Sequence, residues 1–136
     1  MADHIEQHMD LLIQHSISFA SELLGNYKEF YPFAAFVDLT GGLIPIAVDS
    51  EEEYPDTEAL IAEYERIFAD MTQQQSVLAW SIAIDASVTN KEYPRGTDAI
   101  AIKTWHGSRK EQILYFFPYS LGTDIVNIGE GWSEFG

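Results

Sequence analysis

Short turns join the apolar runs of this chain, and this spacing constrains the fold more than any other feature. Residues 33–39 and 43–48 are separated only by residues 40–42, where two glycines suit the positive φ angles of a tight hairpin. Residues 98–106 and 112–118 flank a second short turn. Because strands with short connections pair antiparallel, the sequence predicts an antiparallel sheet.

Two further segments have helical periodicity. Apolar side chains recur at helical spacing over residues 4–24 and again over residues 56–72. A long strand is predicted at 77–88 and a short one at 125–128, and Pro45 predicts an edge or bulged strand because it cannot donate to a ladder. The order α-β-β-α-β-β-β predicts a single α+β domain over residues 1–136. It would have two layers, with about five antiparallel strands and both helices on one face.

The composition is strongly acidic, with 22 Asp and Glu against 7 Lys and Arg in 136 residues. This balance argues against binding to nucleic acid or anionic membranes, whose charge is met by Lys and Arg. An apolar content of 46% indicates a folded domain and not a disordered acidic chain. There is no cysteine, no signal peptide and no apolar run of membrane-spanning length, which predicts a cytoplasmic protein without disulfides. No cofactor is indicated.

The charge is unevenly distributed along the chain. Residues 1–70 hold 15 acids and 2 bases, whereas residues 91–110 hold five of the seven bases and only two acids. One interpretation is that these bases decorate two loops and the ends of their strands. The other is a positive patch that orients an anionic ligand or a second copy of the chain.

Several short segments together resemble a family of small uncharacterised bacterial proteins. They are Phe30-Tyr31-Pro32-Phe33, Ile44-Pro45, residues 49–56, Thr97-Asp98-Ala99-Ile100 and Phe116-Phe117-Pro118-Tyr119. The resemblance covers roughly residues 20–120 and implies no catalytic residues. The element order is also similar to that of profilin-like and roadblock-type folds, which implies a binding or dimerisation module.

Three of the four histidines lie in the first predicted helix. His4 and His8, at positions i and i+4, have the spacing that lets two imidazoles share one metal ion. His15 lies about 10 Å further along the helix axis and cannot join the same ion. Two ligands make a weak site unless carboxylates complete it. The alternatives are a solvated histidine stripe and a dimer contact sensitive to pH.

An acidic loop precedes the second helix. Its carboxylates are Asp49, Glu51, Glu52, Glu53 and Asp56. The run lacks the alternation and the glycine of a calcium loop. It is interpreted either as a solvated loop that leads into a helix N-terminus or as a docking surface for a basic partner.

Signatures of catalysis are sparse. His106 is the only histidine outside the first helix, and it follows a strand at a hairpin end, which is normally exposed. The aspartates at predicted strand ends are Asp38, Asp49, Asp85 and Asp98. Pairs of these carboxylates could converge at one end of the sheet for acid–base chemistry, although strand-end acids usually serve turns and caps.

Aromatic side chains cluster at residues 30–33 and 115–119. If residues 115–119 stay extended, Tyr115, Phe117 and Tyr119 share one face and Phe116 the other, so either both faces are covered or one is an interface. The sequence therefore favours a non-enzymatic binding or interaction module that dimerises through a sheet face or edge. An acidic immunity or inhibitor protein that neutralises a basic partner is the alternative, and a small enzyme that uses strand-end carboxylates is a further one.

Overall fold

The computed structural model describes residues 4–46, 56–109, 112–123 and 125–135. Within these residues the chain forms two helices and seven strands. Their bounds are α1 Ile5–Tyr27, β1 Phe33–Asp38, β2 Leu43–Ile46, α2 Thr57–Gln73, β3 Val77–Val88, β4 Thr97–His106, β5 Ile113–Gly122, β6 Ile125–Ile128 and β7 Trp132–Phe135. The predicted α+β class is confirmed. Neither helix of this described part is long and apolar enough to cross a membrane.

The described strands form one antiparallel sheet in the order β2-β1-β3-β4-β5-β6, and β7 pairs with β5. The expectation of about five strands was therefore wrong. β5 has ten residues, so its C-terminal half pairs with β6 and its N-terminal half pairs with β7. The sequence pattern does not predict β7, because the four residues after Gly129-Glu130-Gly131 are too few to show an alternation of apolar and polar side chains.

The two helices lie on opposite faces of the sheet, so the prediction of two layers with both helices on one face was wrong. On β3, Ala79 and Ala83 pack into the apolar clusters that contain α1. The alternate residues Trp80 and Ile82 pack into the cluster that contains α2. Because successive side chains of a strand point to opposite faces, an apolar strand such as β3 needs a cover on each side.

Helix α1 is longer than its apolar pattern predicts. The apolar spacing ends at residue 24, but the helix continues to Tyr27. Lys28 then adopts the left-handed conformation, with φ of 67°, and donates its N–H to the Leu24 carbonyl at 2.9 Å. A lysine thus supplies the C-terminal cap that glycine usually provides.

The β1–β2 hairpin is held by Asp38 and confirms the prediction for Pro45. Asp38 Oδ1 accepts the N–H groups of Thr40 at 2.9 Å and Gly42 at 3.0 Å, and Gly41 has φ of 89°. The Asp38 N–H donates to the Gly42 carbonyl. Since bonded pairs alternate along an antiparallel ladder, the nitrogen of Pro45 faces away from β1 on an edge strand, where no donor is needed.

Candidate functional site

Most of the predicted acidic docking surface lies outside the described residues. The carboxylates outside the described residues are Asp49, Glu51, Glu52 and Glu53. Asp56 is described: it is exposed and occupies the N-cap position of α2, where its side chain makes no capping hydrogen bond. The docking function of these five carboxylates stays a prediction.

The bases of residues 91–110 do not form one positive patch within the described residues. Lys103 points to the α2 side of β4, where its Nζ lies 3.1 Å from Glu65 Oε1. Arg109 follows the end of β4 and donates to Thr104 Oγ1 at 3.0 Å, on the α1 side. Lys91 and Arg95 precede β4, about 30 Å away along an extended strand of this length. The interpretation as decorated loops and strand ends therefore fits the structure better.

The aromatic clusters are mostly core. Phe30, Phe33 and Tyr119 are buried against α1, and Tyr115 and Phe117 pack against the same cluster. This covered face of β5 is not available as an interface. On the other face of β5, Phe116 is half-buried and stacks on Trp132, with 5.4 Å between ring centroids.

The strand-end carboxylates do not converge as a group of three. Asp38 pairs with the start of β3, whereas Asp85 lies near its end, so the two occupy opposite ends of the sheet. Asp98 lies near Asp85 on the neighbouring strand, but it is exposed and accepts a hydrogen bond from Ser87 Oγ at 3.2 Å. The fourth residue, Asp49, is outside the described residues.

Asp85 ties three elements together. Its Oδ1 accepts the Tyr119 hydroxyl of β5 at 2.5 Å, and its Oδ2 accepts the Phe30 N–H, which precedes β1, at 3.4 Å. Burial raises the pKa of Asp85, and burial together with the Asp85 carboxylate raises the pKa of Tyr119. Both carboxylate oxygens thus have partners within the chain, as expected of a structural tie.

The histidine pair is arranged differently from its prediction. The rings of His4 and His8 are 6.2 Å apart, while His8 Nδ1 lies 2.9 Å from Nε2 of His106. No group of three or more potential ligands gathers around a metal position in the described part of the chain. The structure therefore brings His8 together with His106 and gives the His4–His8 pair no third ligand.

Two expectations about histidine exposure were wrong. His8 is buried and does not belong to a solvated stripe, and His106 is only 3% exposed although it ends a strand beside a hairpin turn. The N-terminal part of α1 covers the end of β4 and buries both rings. The sequence pattern did not reveal this, because His8 lies outside the main apolar face of the helix.

The proton positions of the buried pair follow from its partners. The Ser108 N–H donates to Nδ1 of His106 at 3.0 Å, so this nitrogen carries a lone pair. Neutral His106 therefore holds its proton on Nε2 and donates it to Nδ1 of His8. Burial, followed by the charge of His4, lowers the pKa of His8. Both imidazoles are neutral in this arrangement.

Sequence reasoning missed an exposed apolar stripe on α1. Leu11 and Phe19 are 38% and 39% exposed, and half-buried His15 lies between them with its ring 6.0 Å from that of Phe19. We call these three residues the α1 stripe. Leu11 and His15 of this stripe line a groove of about 480 Å³, whose lining also includes Leu43 of β2. The signal in the sequence was the lack of any charged residue from Leu11 to Ser21.

A second groove of about 460 Å³ lies between α2 and β4. Trp80 and Trp105 are a direct cross-strand pair in its wall, with ring centroids 6.4 Å apart. The Lys103–Glu65 ion pair also lines it, so both charges are already matched.

Comparison of the chain with family models, curated proteins and solved structures finds no match. The resemblance to a family of small bacterial proteins therefore stays a prediction.

Proposed function

We propose that this protein is a non-enzymatic cytoplasmic binding module that acts through protein–protein contact. Its first partner is a second copy of the chain, and the contact surface is the α1 stripe of Leu11, His15 and Phe19. The exposure of two large apolar side chains on an uncharged helix surface carries this proposal.

The charge of the chain favours this surface over others. A net charge of −15 makes two copies repel each other wherever acidic surfaces meet. The cores of protein interfaces are depleted of charge and enriched in aromatic and large apolar side chains. On α1 the only charged residue that lines the groove is Asp10, at one end of the stripe. Two copies can therefore meet here with little repulsion.

The stripe is suited to a two-fold contact. Leu11, His15 and Phe19 follow at intervals of four residues, which places them along one side of the helix. If two α1 helices pack antiparallel with the two-fold axis near His15, Leu11 of each copy faces Phe19 of the other. Such a contact is isologous and closes at a dimer. The β2 edge is less suited, because Pro45 removes one of its outward donors.

The salt dependence of association tests this proposal. Screening weakens repulsion between like charges and leaves apolar contact intact, so the dimer should become several-fold tighter between about 50 mM and about 500 mM NaCl. Sedimentation velocity over a concentration series measures the dissociation constant at each salt concentration. A monomer at all concentrations, or a dimer that dissociates as salt is added, would contradict the proposal.

A second candidate is an inhibitor of a basic protein. The N-terminal residues and outer surface of α2 favour it, since Asp56, Glu58 and Asp70 are exposed there. Arg66 is the one base in this helix, and it is already paired with Glu63 and Asp70. Contact with a basic partner through these acids would weaken as salt is added, which is the opposite sign to that expected for the dimer.

The enzyme alternative has less support. Of the strand-end carboxylates, Asp85 combines burial with a raised pKa, but both its oxygens bind groups of the chain itself. A general acid needs a proton within reach of a substrate.

A further inference from the structure

We propose that His8 and His106 form an acid-sensitive latch that holds the N-terminal half of α1 on the sheet. The pair joins two residues that are 98 positions apart in the chain, and both rings are buried. The hydrogen bond between His8 and His106 joins α1 directly to the C-terminal end of β4.

The latch requires both imidazoles to be neutral. His8 Nδ1 must keep its lone pair to accept the proton of His106 Nε2, and His106 Nδ1 must keep its own to accept the Ser108 N–H. A proton added to either Nδ1 would place two donors against each other at about 3 Å. Protonation of the pair therefore breaks a hydrogen bond and leaves a buried donor without its acceptor.

The charged groups around the pair do not compensate a positive charge on His8. On α1 the neighbouring titratable ring is His4. Beyond β4 the neighbouring basic residue is Arg109, whose backbone N–H donates to the His106 carbonyl at 3.0 Å and whose guanidinium donates to Thr104 Oγ1. From β3 the facing residue is Ala79. The carboxylate of β1 at this end of the sheet, Asp38, is engaged by its own turn.

The sign of the pH dependence follows from the lowered pKa of His8. The unfolded chain takes up a proton near the ordinary value of 6.5, whereas the latched state does not. The stabilisation from the latch is therefore complete above pH 6.5 and is lost as the pH falls below this value.

Acid should release only part of α1. Its N-terminal half is anchored by Met9 and Leu12 in a small cluster with three residues of β1 and β3. Its C-terminal half is anchored by Ala20 and Leu24 in a larger cluster of aromatic and branched side chains. Because the latch reinforces the smaller cluster, opening is expected at the N-terminal half while the C-terminal half stays packed.

Release of α1 would also regulate the dimer, because the same helix carries the α1 stripe. This step rests on the proposed function. Weaker association in acid would then accompany the opening of α1. If the chain is a monomer at neutral pH, the proposed function fails, while the latch is still decided by the experiment below.

Nitrogen-15 spectra of the imidazoles test the latch directly. At about pH 7.5 we expect His106 to carry its proton on Nε2, with a scalar coupling across the hydrogen bond to Nδ1 of His8. At about pH 5.5 the coupling should be lost, and amide protection of residues 9–13, corrected for intrinsic exchange, should fall about tenfold or more. Protection of residues 20–24 should change little.

Two variants complete the test. His8→Phe keeps a ring of similar size without a titratable nitrogen, so the protection of residues 9–13 should no longer depend on pH. His4→Gln removes the exposed imidazole one turn earlier and should leave the coupling in place. The latch is overturned if His106 carries its proton on Nδ1 at pH 7.5, if both halves of α1 open equally in acid, or if His8→Phe retains the acid-dependent opening.

Discussion

Replacement of Phe19 by glutamate is expected to raise the dissociation constant of the dimer roughly a thousandfold. Phe19 occurs once in each copy, so a two-fold contact loses the side chain twice. A central aromatic residue of an interface commonly contributes about 2 kcal/mol or more. Two such losses amount to about 4 kcal/mol, which corresponds to roughly three powers of ten in affinity. Sedimentation velocity measures the change.

The matched control adds the same charge at another exposed apolar position. Leu39 is 61% exposed in the β1–β2 turn and does not line the groove beside the α1 stripe, so Leu39→Glu should change the dissociation constant only slightly. Phe19 also meets the ring of Phe33, with centroids 4.8 Å apart, so the variant could lose stability within the monomer. Leu11→Glu therefore serves as a second test of the surface, because Leu11 is the exposed apolar residue at the other end of the stripe. Dimers that survive both α1 substitutions would contradict the proposed surface.

Replacement of Phe68 by alanine is expected to lower the free energy of unfolding by about 3–5 kcal/mol, the usual cost of truncating a buried phenylalanine. Phe68 is fully buried, and its ring stacks on Trp80 with centroids 5.0 Å apart and planes 4° from parallel. Leu60, Tyr64 and Phe68 are the buried residues of α2, so few side chains hold this helix on the sheet. Loss of the largest stack should loosen α2 and change the environment of Trp80.

Urea unfolding followed by tryptophan fluorescence measures this loss. Ile67, which precedes Phe68 on α2, is only half-buried, so Ile67→Ala should cost clearly less than Phe68→Ala. A Phe68→Ala variant that loses no more than the Ile67→Ala control would show that α2 is not anchored through this stack.

The sequence predicts the elements of this fold better than their arrangement. Helical periodicity and short turns locate both helices and the first five strands, and the short strand predicted at 125–128 is confirmed as β6. The side of the sheet that α2 occupies could not be predicted, because β3 is apolar on both faces and either face would accept a helix. The strand β7 was missed because it depends on pairing with β5, a long-range contact that leaves little local pattern.

The candidate sites show the same limit. The buried pair joins residues 8 and 106, and neither position shows its partner in the local sequence. The histidine stripe was predicted from helical spacing alone. This spacing correctly places His4 and His8 one turn apart, but it does not show which of the two rings the sheet covers. The α1 stripe was missed for a different reason. Helical spacing predicts an apolar face that includes Leu12, Ile13 and Ile17, and the uncharged surface that carries Leu11 and Phe19 lies beside that face.

A single engineered cysteine tests the proposed dimer most directly. The chain contains no cysteine, so any disulfide formed by a one-cysteine variant must join two copies. Antiparallel packing of two α1 helices about an axis near His15 brings position 15 of both copies within disulfide range, with Cα atoms roughly 4–7 Å apart. Under mild oxidation, His15→Cys is expected to give a covalent dimer at micromolar concentration, whereas Leu39→Cys is expected to stay monomeric on a non-reducing gel. Equal cross-linking of the two variants, or none from His15→Cys, would contradict a dimer built on the α1 stripe.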